Sequence, residues 1–254
     1  MNPITNLENA KIAIVVGASG GIGKAMLAEF IDDRDITHVI AISRSTTALP
    51  ASFSGDGLSK LTCIDCDNQE QSMTEVVSQL EDTRGKIHHI CICNGTLHGD
   101  GYFPERRLEE VTRETITHIL QTNTITPILW LKHLKPLLKT KHKLSIAVLS
   151  ARVGSISDNR LGGWYSYRSS KAALNMLLKT LSIELSRSLK QLQIYAFHPG
   201  TTDTELSKPF QARVAPEKLF SPKFVAERLH SLLTNKKPAG EIQFIDWDHK
   251  TIEW

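Results

Sequence analysis

The chain has 254 residues with 30 basic and 27 acidic side chains, and its net charge of +3 is too small and too scattered to mark a nucleic-acid surface. Its polar start, Met1 to Ala10, and the short apolar run Ile12 to Val16 exclude a secretory leader or a membrane span there, which implies a soluble, cytoplasmic protein. No linker-like or low-complexity stretch and no internal repeat interrupts the sequence, so one domain spanning residues 1–254 with a large core is expected.

Lys11-Ile-Ala-Ile-Val-Val16 is a continuous, largely β-branched run, the pattern of a strand buried on both faces of a parallel sheet. It feeds the glycine-rich turn Gly17-Ala18-Ser19-Gly20-Gly21-Ile22-Gly23 and then a helical pattern from Lys24 to Ile31. Such a turn leaves backbone N–H groups at a helix N-terminus, where a pyrophosphate can be held. The second strand, His38 to Ser43, ends in Ser43-Arg44. An acidic residue there would accept hydrogen bonds from the adenosine ribose of NAD; a guanidinium instead suits a 2′-phosphate, which favours NADP(H) while leaving NAD(H) possible.

A third strand runs from Leu61 to Asp67, with Asp65 placed to meet an adenine amino group, and a helix is expected over residues 69–83. The fourth strand, Ile87 to Cys93, ends at Asn94-Gly95, at the carboxyl edge where open α/β sheets bind ligands. Cys63, Cys66, Cys91 and Cys93 have the look of two metal half-sites. In the strand order 3-2-1-4 they would lie about 14 Å apart, so buried free thiols are expected and no metal. Adjacent His88 and His89 face opposite sides of that strand.

A long helix is expected from Arg113 to Leu138, with Asn123 inside an apolar stripe, where it either caps a kink helped by Pro127 or holds a water. The fifth strand, Leu144 to Leu149, leads to Ser150. Trp164 opens an amphipathic helix in which Tyr167 and Lys171 stand four residues apart and share a face, at about 3.6 residues per turn. Tyr165 has Ser169 at that spacing and no cation. An ammonium beside a phenol should draw its pKa down from ~10 and make it an acid-base for carbonyl–alcohol interconversion. A sixth strand, Gln193 to His198, precedes the loop Pro199-Gly200-Thr201-Thr202-Asp203-Thr204; residues 222–233 form the last helix and Glu241 to Ile245 the last strand. The alternation predicts an α/β fold, a doubly wound three-layer sandwich of Rossmann type with its crevice at the strand carboxyl ends.

The glycine loop Gly17 to Gly23, Asn94-Gly95, Asn123, Tyr167 with Lys171, and Pro199-Gly200 with Thr204 together resemble the short-chain dehydrogenase/reductase family in order and spacing, over nearly the whole chain. Arg152 to Asn159, Gly162 to Arg168 and Phe244 to Trp254 further resemble its C-factor and sniffer-like carbonyl reductase branch. The resemblance implies Tyr167 as general acid and base, Lys171 binding the nicotinamide ribose and lowering the tyrosine pKa, and Asn123 positioning a relay water. It also implies that Gly17, Ser19, Gly21, Ile22, Gly23, Ser43, Arg44, Asp65, Asn94, Gly95, Pro199, Gly200, Thr202 and Thr204 border the cofactor.

Two departures stand out. Ala151 occupies the place of the family's substrate-polarising serine, three residues before Gly154, so Ser150, or else Ser155, is expected to substitute; and Val16 replaces a threonine that braces the glycine loop. The leading expectation is an oxidoreductase moving a hydride between NADP(H) and a small carbonyl or alcohol. The alternative is a cofactor-binding signalling or interaction protein with little turnover. The substrate should meet residues 97–103, 155–164 and 206–220, and the apolar excess of the Asn123 and Tyr167 helices predicts a homodimer or homotetramer.

Overall fold

The computed structural model describes residues 7, 9–47, 49, 55–235 and 238–254. Its strands are β1 (Ile12–Val16), β2 (His38–Ser43), β3 (Leu61–Asp65), β4 (Ile87–Ile92), β5 (Leu144–Leu149), β6 (Leu192–His198), the short pair β7 (Thr201–Thr202) and β8 (Leu219–Phe220), and β9 (Gln243–Asp246). A 7-stranded sheet has the order β3-β2-β1-β4-β5-β6-β9, every pairing parallel. The helices are α1 (Gly21–Asp32), α2 (Glu70–Gln79), α3 (Arg113–Leu120), α4 (Thr126–Leu134), α5 (Tyr165–Leu185) and α6 (Pro222–Asn235).

Side chains of a strand alternate between faces, and both faces of this sheet are covered. Ile12, Ile14 and Val16 of β1 enter one core layer with Trp130, Leu134, Leu174 and Leu178 from α4 and α5. Ala13 and Val15 enter the other, with Met26 and Phe30 from α1 and Leu229 and Leu233 from α6. The two-sided burial accounts for the unbroken apolar runs, each buried large aliphatic contributing about 1.5–3 kcal/mol.

The helix expected from Arg113 to Leu138 is four consecutive pieces. Between α3 and α4 the chain widens into one π turn, Gln121–Ile125, and after α4 it tightens into a 3-10 turn, Lys135–Leu137. Pro127 has no N–H to offer the carbonyl four residues back, so the ladder must shift there. Across this turn the Thr126 amide and hydroxyl both donate to the Gln121 carbonyl, the hydroxyl at 2.9 Å. The second helix also ends early, at Gln79, and continues as the single turn Glu81–Thr83.

All four cysteines are free thiols. Burial pushes each of them up, Cys93 to about 12, so they stay protonated at neutral pH. Among the described residues no three His, Cys, Asp or Glu side chains gather as metal ligands. No helix among them is long and apolar enough to cross a membrane.

Burial holds His89 of β4 neutral with its pKa down to about 3, and His198 at the end of β6 down to about 4, Arg152 acting in the same direction. Both bind a proton in the unfolded chain below pH ~6.5 but not in the folded one, so stability is lost as pH falls from 6.5 towards 4. Urea unfolding at pH 5 should show a loss of about 2 kcal/mol for each histidine relative to pH 7; equal midpoints at the two pH values would contradict this.

Candidate active site

The glycine loop leaves β1 at Gly17, whose φ of +77 suits a residue without Cβ; a Cβ would also meet the Asn94 nitrogen at 3.0 Å. Gly23 packs still closer, since a Cβ there would lie 2.2 Å from the Gly17 carbonyl. Val16 brings no hydroxyl to the loop; instead the Gly17 and Ala18 amides donate to the Ile42 carbonyl at 2.9 and 3.1 Å. Gly20 precedes α1 with no side-chain cap, and among the described residues the amides of Gly21, Ile22 and Gly23 have no acceptor. These amides, at a helix N-terminus, fit an anionic diphosphate.

The Ser19 and Ser43 hydroxyls lie 2.5 Å apart, tying the loop to the end of β2. Arg44 is exposed and, among the described residues, unpaired. Asp65 is exposed at the end of β3; its Oδ1 accepts from the Thr46 amide at 2.8 Å and the Thr46 hydroxyl at 2.7 Å, bracing the loop that carries Arg44. The buried Oδ1 of Asn94 has no partner among the described residues and fits a ribose hydroxyl. Thr204 closes the cradle from the far side, its Cγ2 2.6 Å from where a Gly21 Cβ would stand. It belongs to the loop after β6, in which Gly200 has a φ of +71 and Ser207 donates to the Thr202 carbonyl at 2.5 Å. The chain therefore offers donors for phosphates along one edge and room beside Gly95, whose Cβ would lie 3.8 Å from both Asn123 Oδ1 and Lys171 Nζ.

The entry to α5 is left-handed through Gly162, Gly163 and Trp164. Glu105, only 2% exposed, fixes it. Its carbonyl accepts from the Trp164 amide, and its carboxylate accepts from the Ser166 amide and hydroxyl. A carboxylate at a helix N-terminus meets unpaired amides and the positive end of the helix dipole. One turn on, Asn123 accepts from the Thr96 amide at 2.7 Å and donates to the Thr96 carbonyl at 2.9 Å and the Ser170 hydroxyl at 3.1 Å. Asn123 thus lies in the π turn and locks α5 to the segment after β4.

Tyr167 and Lys171 are both buried, the ammonium 5.8 Å from the ring centroid and donating to the Leu149 carbonyl at 2.8 Å. Here the expected lowering of the tyrosine pKa is overturned. Burial pushes the Tyr167 phenol well above its ordinary range and brings Lys171 down to about 8. Desolvation of the phenolate is the cause, the ammonium lying 5.8 Å from the ring centroid.

The fifth-strand serine turns away. Ser150 donates to Asn175 Oδ1 at 2.7 Å, two turns along α5 from Tyr167. Ser155 accepts from the Asp158 amide at 3.1 Å and lies 3.3 Å from the Ser157 hydroxyl. The residue that packs with Tyr167 is Ala151, together with Leu97 and, around them, Val153, Trp164, Leu206 and Phe210. Phe103 and His98 extend this wall, with ring centroids 5.1 and 5.8 Å from Phe210. The three stretches expected to meet the substrate do converge here.

A parallel sheet of this order with its glycine cradle and Tyr–Lys helix at the carboxyl edge defines an NAD(P)-dependent dehydrogenase or reductase. The short chain dehydrogenase family model matches residues 11–215, and the chain belongs to that family. It is 24% identical to a benzil reductase ((S)-benzoin forming) of Bacillus cereus over 256 residues, covering 93% of this chain and 99% of the other. It is also 29% identical over 109 residues to the C-signal protein of Myxococcus xanthus, 43% of this chain and 60% of that one. Among solved structures it resembles the carbonyl reductase Sniffer of Drosophila melanogaster (TM-score 0.80, 21% identity, 96% of this chain and 99% of that one). The NADPH-bound carbonyl reductase from chicken fatty liver aligns with a TM-score of 0.83 at 21% identity, again over 96% and 99%.

Nicotinamide fluorescence titrations should show NADPH binding more tightly than NADH. Arg44→Asp should weaken NADPH about tenfold or more while sparing NADH; a variant with unchanged NADPH affinity would remove Arg44 from the phosphate site.

Proposed function

We propose that the protein is an NADPH-preferring reductase of a small, neutral carbonyl compound, with Tyr167 as the proton donor. The observation that carries this reading is the Tyr167 hydroxyl, which has no hydrogen-bond partner among the described residues and sits in an apolar wall beside Lys171 and Asn123. When bound, the reduced nicotinamide would supply a hydride to the carbonyl carbon. Tyr167, protonated at neutral pH, gives its proton to the carbonyl oxygen. Lys171 stabilises the phenolate left behind, and with Asn94 and Gly95 it borders the ribose positions. Asn123 holds the segment bearing Gly95 against α5 and thereby sets the Tyr167 geometry. Pro199, Gly200, Thr202 and Thr204 would flank the nicotinamide end, Gly17 to Gly23 the diphosphate, and Ser43 and Arg44 the 2′-phosphate.

The neutral walls, the NADPH bound to the chicken fatty liver carbonyl reductase and the benzil reductase likeness support a carbonyl substrate. The free thiols suit a reducing, cytoplasmic compartment. The second reading, a cofactor-binding signalling protein with little turnover, draws on Ala151 and on the C-signal likeness. Tyr167→Phe separates them. In the reductase it lowers kcat by about a hundredfold or more with NADPH affinity kept; a phenotype indifferent to that change favours signalling.

The pH profile gives a further check. Lys171 is charged below its pKa of about 8 and neutral above it, so the stabilisation of the phenolate is lost as pH rises. Reduction at saturating NADPH should hold level near neutrality and decline through pH ~8, and Lys171→Met should abolish that inflection.

We also propose a homo-oligomer. Met176 and Ile183 of α5 are 67% and 52% exposed, and Ile125 beside α4 is 41% exposed, an apolar excess along one helical layer. Sedimentation should return a multiple of 28.3 kDa, and a monomer mass at micromolar protein would remove the proposal.

A further inference from the structure

We propose that Ala151 sets the chemical threshold of the reaction: by giving the carbonyl oxygen a single hydroxyl donor, it confines efficient turnover to carbonyls that are already electron-poor. Suitable substrates carry a second carbonyl next to the first, or an electron-withdrawing aryl ring. The inference rests on the reductase reading above and narrows its substrate class.

Hydride addition forms a C–H bond and breaks the C=O π bond, whose electrons take the Tyr167 proton to form the new O–H. The nicotinamide is oxidised and the carbonyl reduced. Negative charge builds on the oxygen before the proton arrives, so each donor aimed at that oxygen speeds the step; loss of one costs about 10²–10³ in rate. Around Tyr167 the side-chain hydroxyls, Asn123 and Lys171 are, among the described residues, engaged elsewhere, the Trp164 indole N–H excepted. Ser150 donates to Asn175, Ser155 closes its own turn, and the Thr96 hydroxyl lies 2.5 Å from the Tyr102 hydroxyl. Asn123 is held by Thr96 and Ser170, and Lys171 by the Leu149 carbonyl. What remains beside the phenol is the methyl group of Ala151 with Leu97, Val153, Leu206 and Phe210. Trp164 stands edge-on to the Tyr167 ring at 6.1 Å and packs on Phe210 at 5.1 Å.

Ala151 cannot be moved aside to admit another donor. Its carbonyl accepts from the Gly154 amide at 2.8 Å, and that turn is pressed on α5 so closely that a Cβ on Gly154 would sit 2.8 Å from Lys171 Cβ. A substrate must therefore bring its own electron deficiency.

The test is steady-state reduction of para-substituted benzaldehydes, from 4-methoxy to 4-nitro, which keep one shape and differ in electrophilicity. Saturating NADPH is used with the wild type, Ala151→Ser, Ala151→Cys and Trp164→Phe. In the wild type kcat/KM should climb steeply with electron withdrawal. Ala151→Ser should raise the 4-methoxy rate about tenfold or more and the 4-nitro rate less than about threefold, flattening the slope. Ala151→Cys, similar in size with a weak donor, should leave the slope steep. NADPH fluorescence titration and melting temperature, unchanged from wild type, establish that the variants are folded and loaded. The proposal is overturned by a shallow slope in the wild type, which needs no variant. It is equally overturned by a uniform or absent gain in a folded Ala151→Ser, by Cys matching Ser, or by Trp164→Phe steepening the slope, which would make the indole a second donor. A wild type that binds NADPH and reduces none of the series, or a fully active Tyr167→Phe, instead overturns the reductase reading itself.

Discussion

A buried carboxylate at the first turn of α5 is the interaction on which the candidate site depends. Among the described residues Glu105 makes no ion pair; its carboxylate accepts from the Ser166 amide and hydroxyl at the N-terminal end of a 21-residue helix. This contact also holds Trp164 in a left-handed conformation that costs a non-glycine residue about 1–2 kcal/mol. The outcome is a turn that sets where Tyr167 points before any substrate arrives. Asn123 repeats the device one turn later, with Thr96 on one side and Ser170 on the other. The π turn that carries Asn123 is where the break in the ladder near Pro127 is put to use.

The same burial that makes the site precise makes it electrostatically one-sided. Tyr167 and Lys171 both lose water, and each is driven towards its neutral form, the phenol up and the ammonium down to about 8. A phenol pushed up by burial holds its proton more tightly, so Tyr167 is protonated at neutral pH and Lys171 is the group whose charge can change near it. That effect of burial is one that helical spacing alone does not convey.

Much of the fold was legible because its signals are local and redundant. β2 and β5 begin and end where their apolar runs do, and the glycine turn stands between a buried strand and a helix whose first amides it leaves open. Tyr167 and Lys171 share a face by helical geometry alone. The side-chain partners were not legible, because they depend on which way a residue points and on what lies across the sheet. Asp65 was read for its place at a strand end, and its tie to Thr46, on a loop nineteen residues earlier, gave no sign in the sequence. Ser150 and Ala151 alternate at the end of β5, and a shift of one residue decides whether a hydroxyl or a methyl group meets Tyr167. Glu105 gave no signal at all: between Pro104 and the arginines 106 and 107 it reads as a solvated charge, and its partner is 61 residues away.

The chain segment after β9 shows how far such distant ties extend. Asp246 accepts from the amides of Asp248 and Lys250 and pairs with Arg152 at 3.0 Å, while the Trp254 carbonyl accepts from the Ser157 hydroxyl at 2.7 Å. Both ties land on the stretch between Ala151 and Trp164. That stretch is otherwise anchored by its tight turn against Lys171, and it carries Ile156 and Leu161 fully in solvent reach. An unsupported loop of this length would be free to sample many positions, and the entropy of ordering it would fall on substrate binding. With the turn at Arg152 and the hydroxyl at Ser157 already held by the last strand's extension, that cost is met during folding. The wall that Ala151 and Val153 present to Tyr167 is then a fixed property of the site.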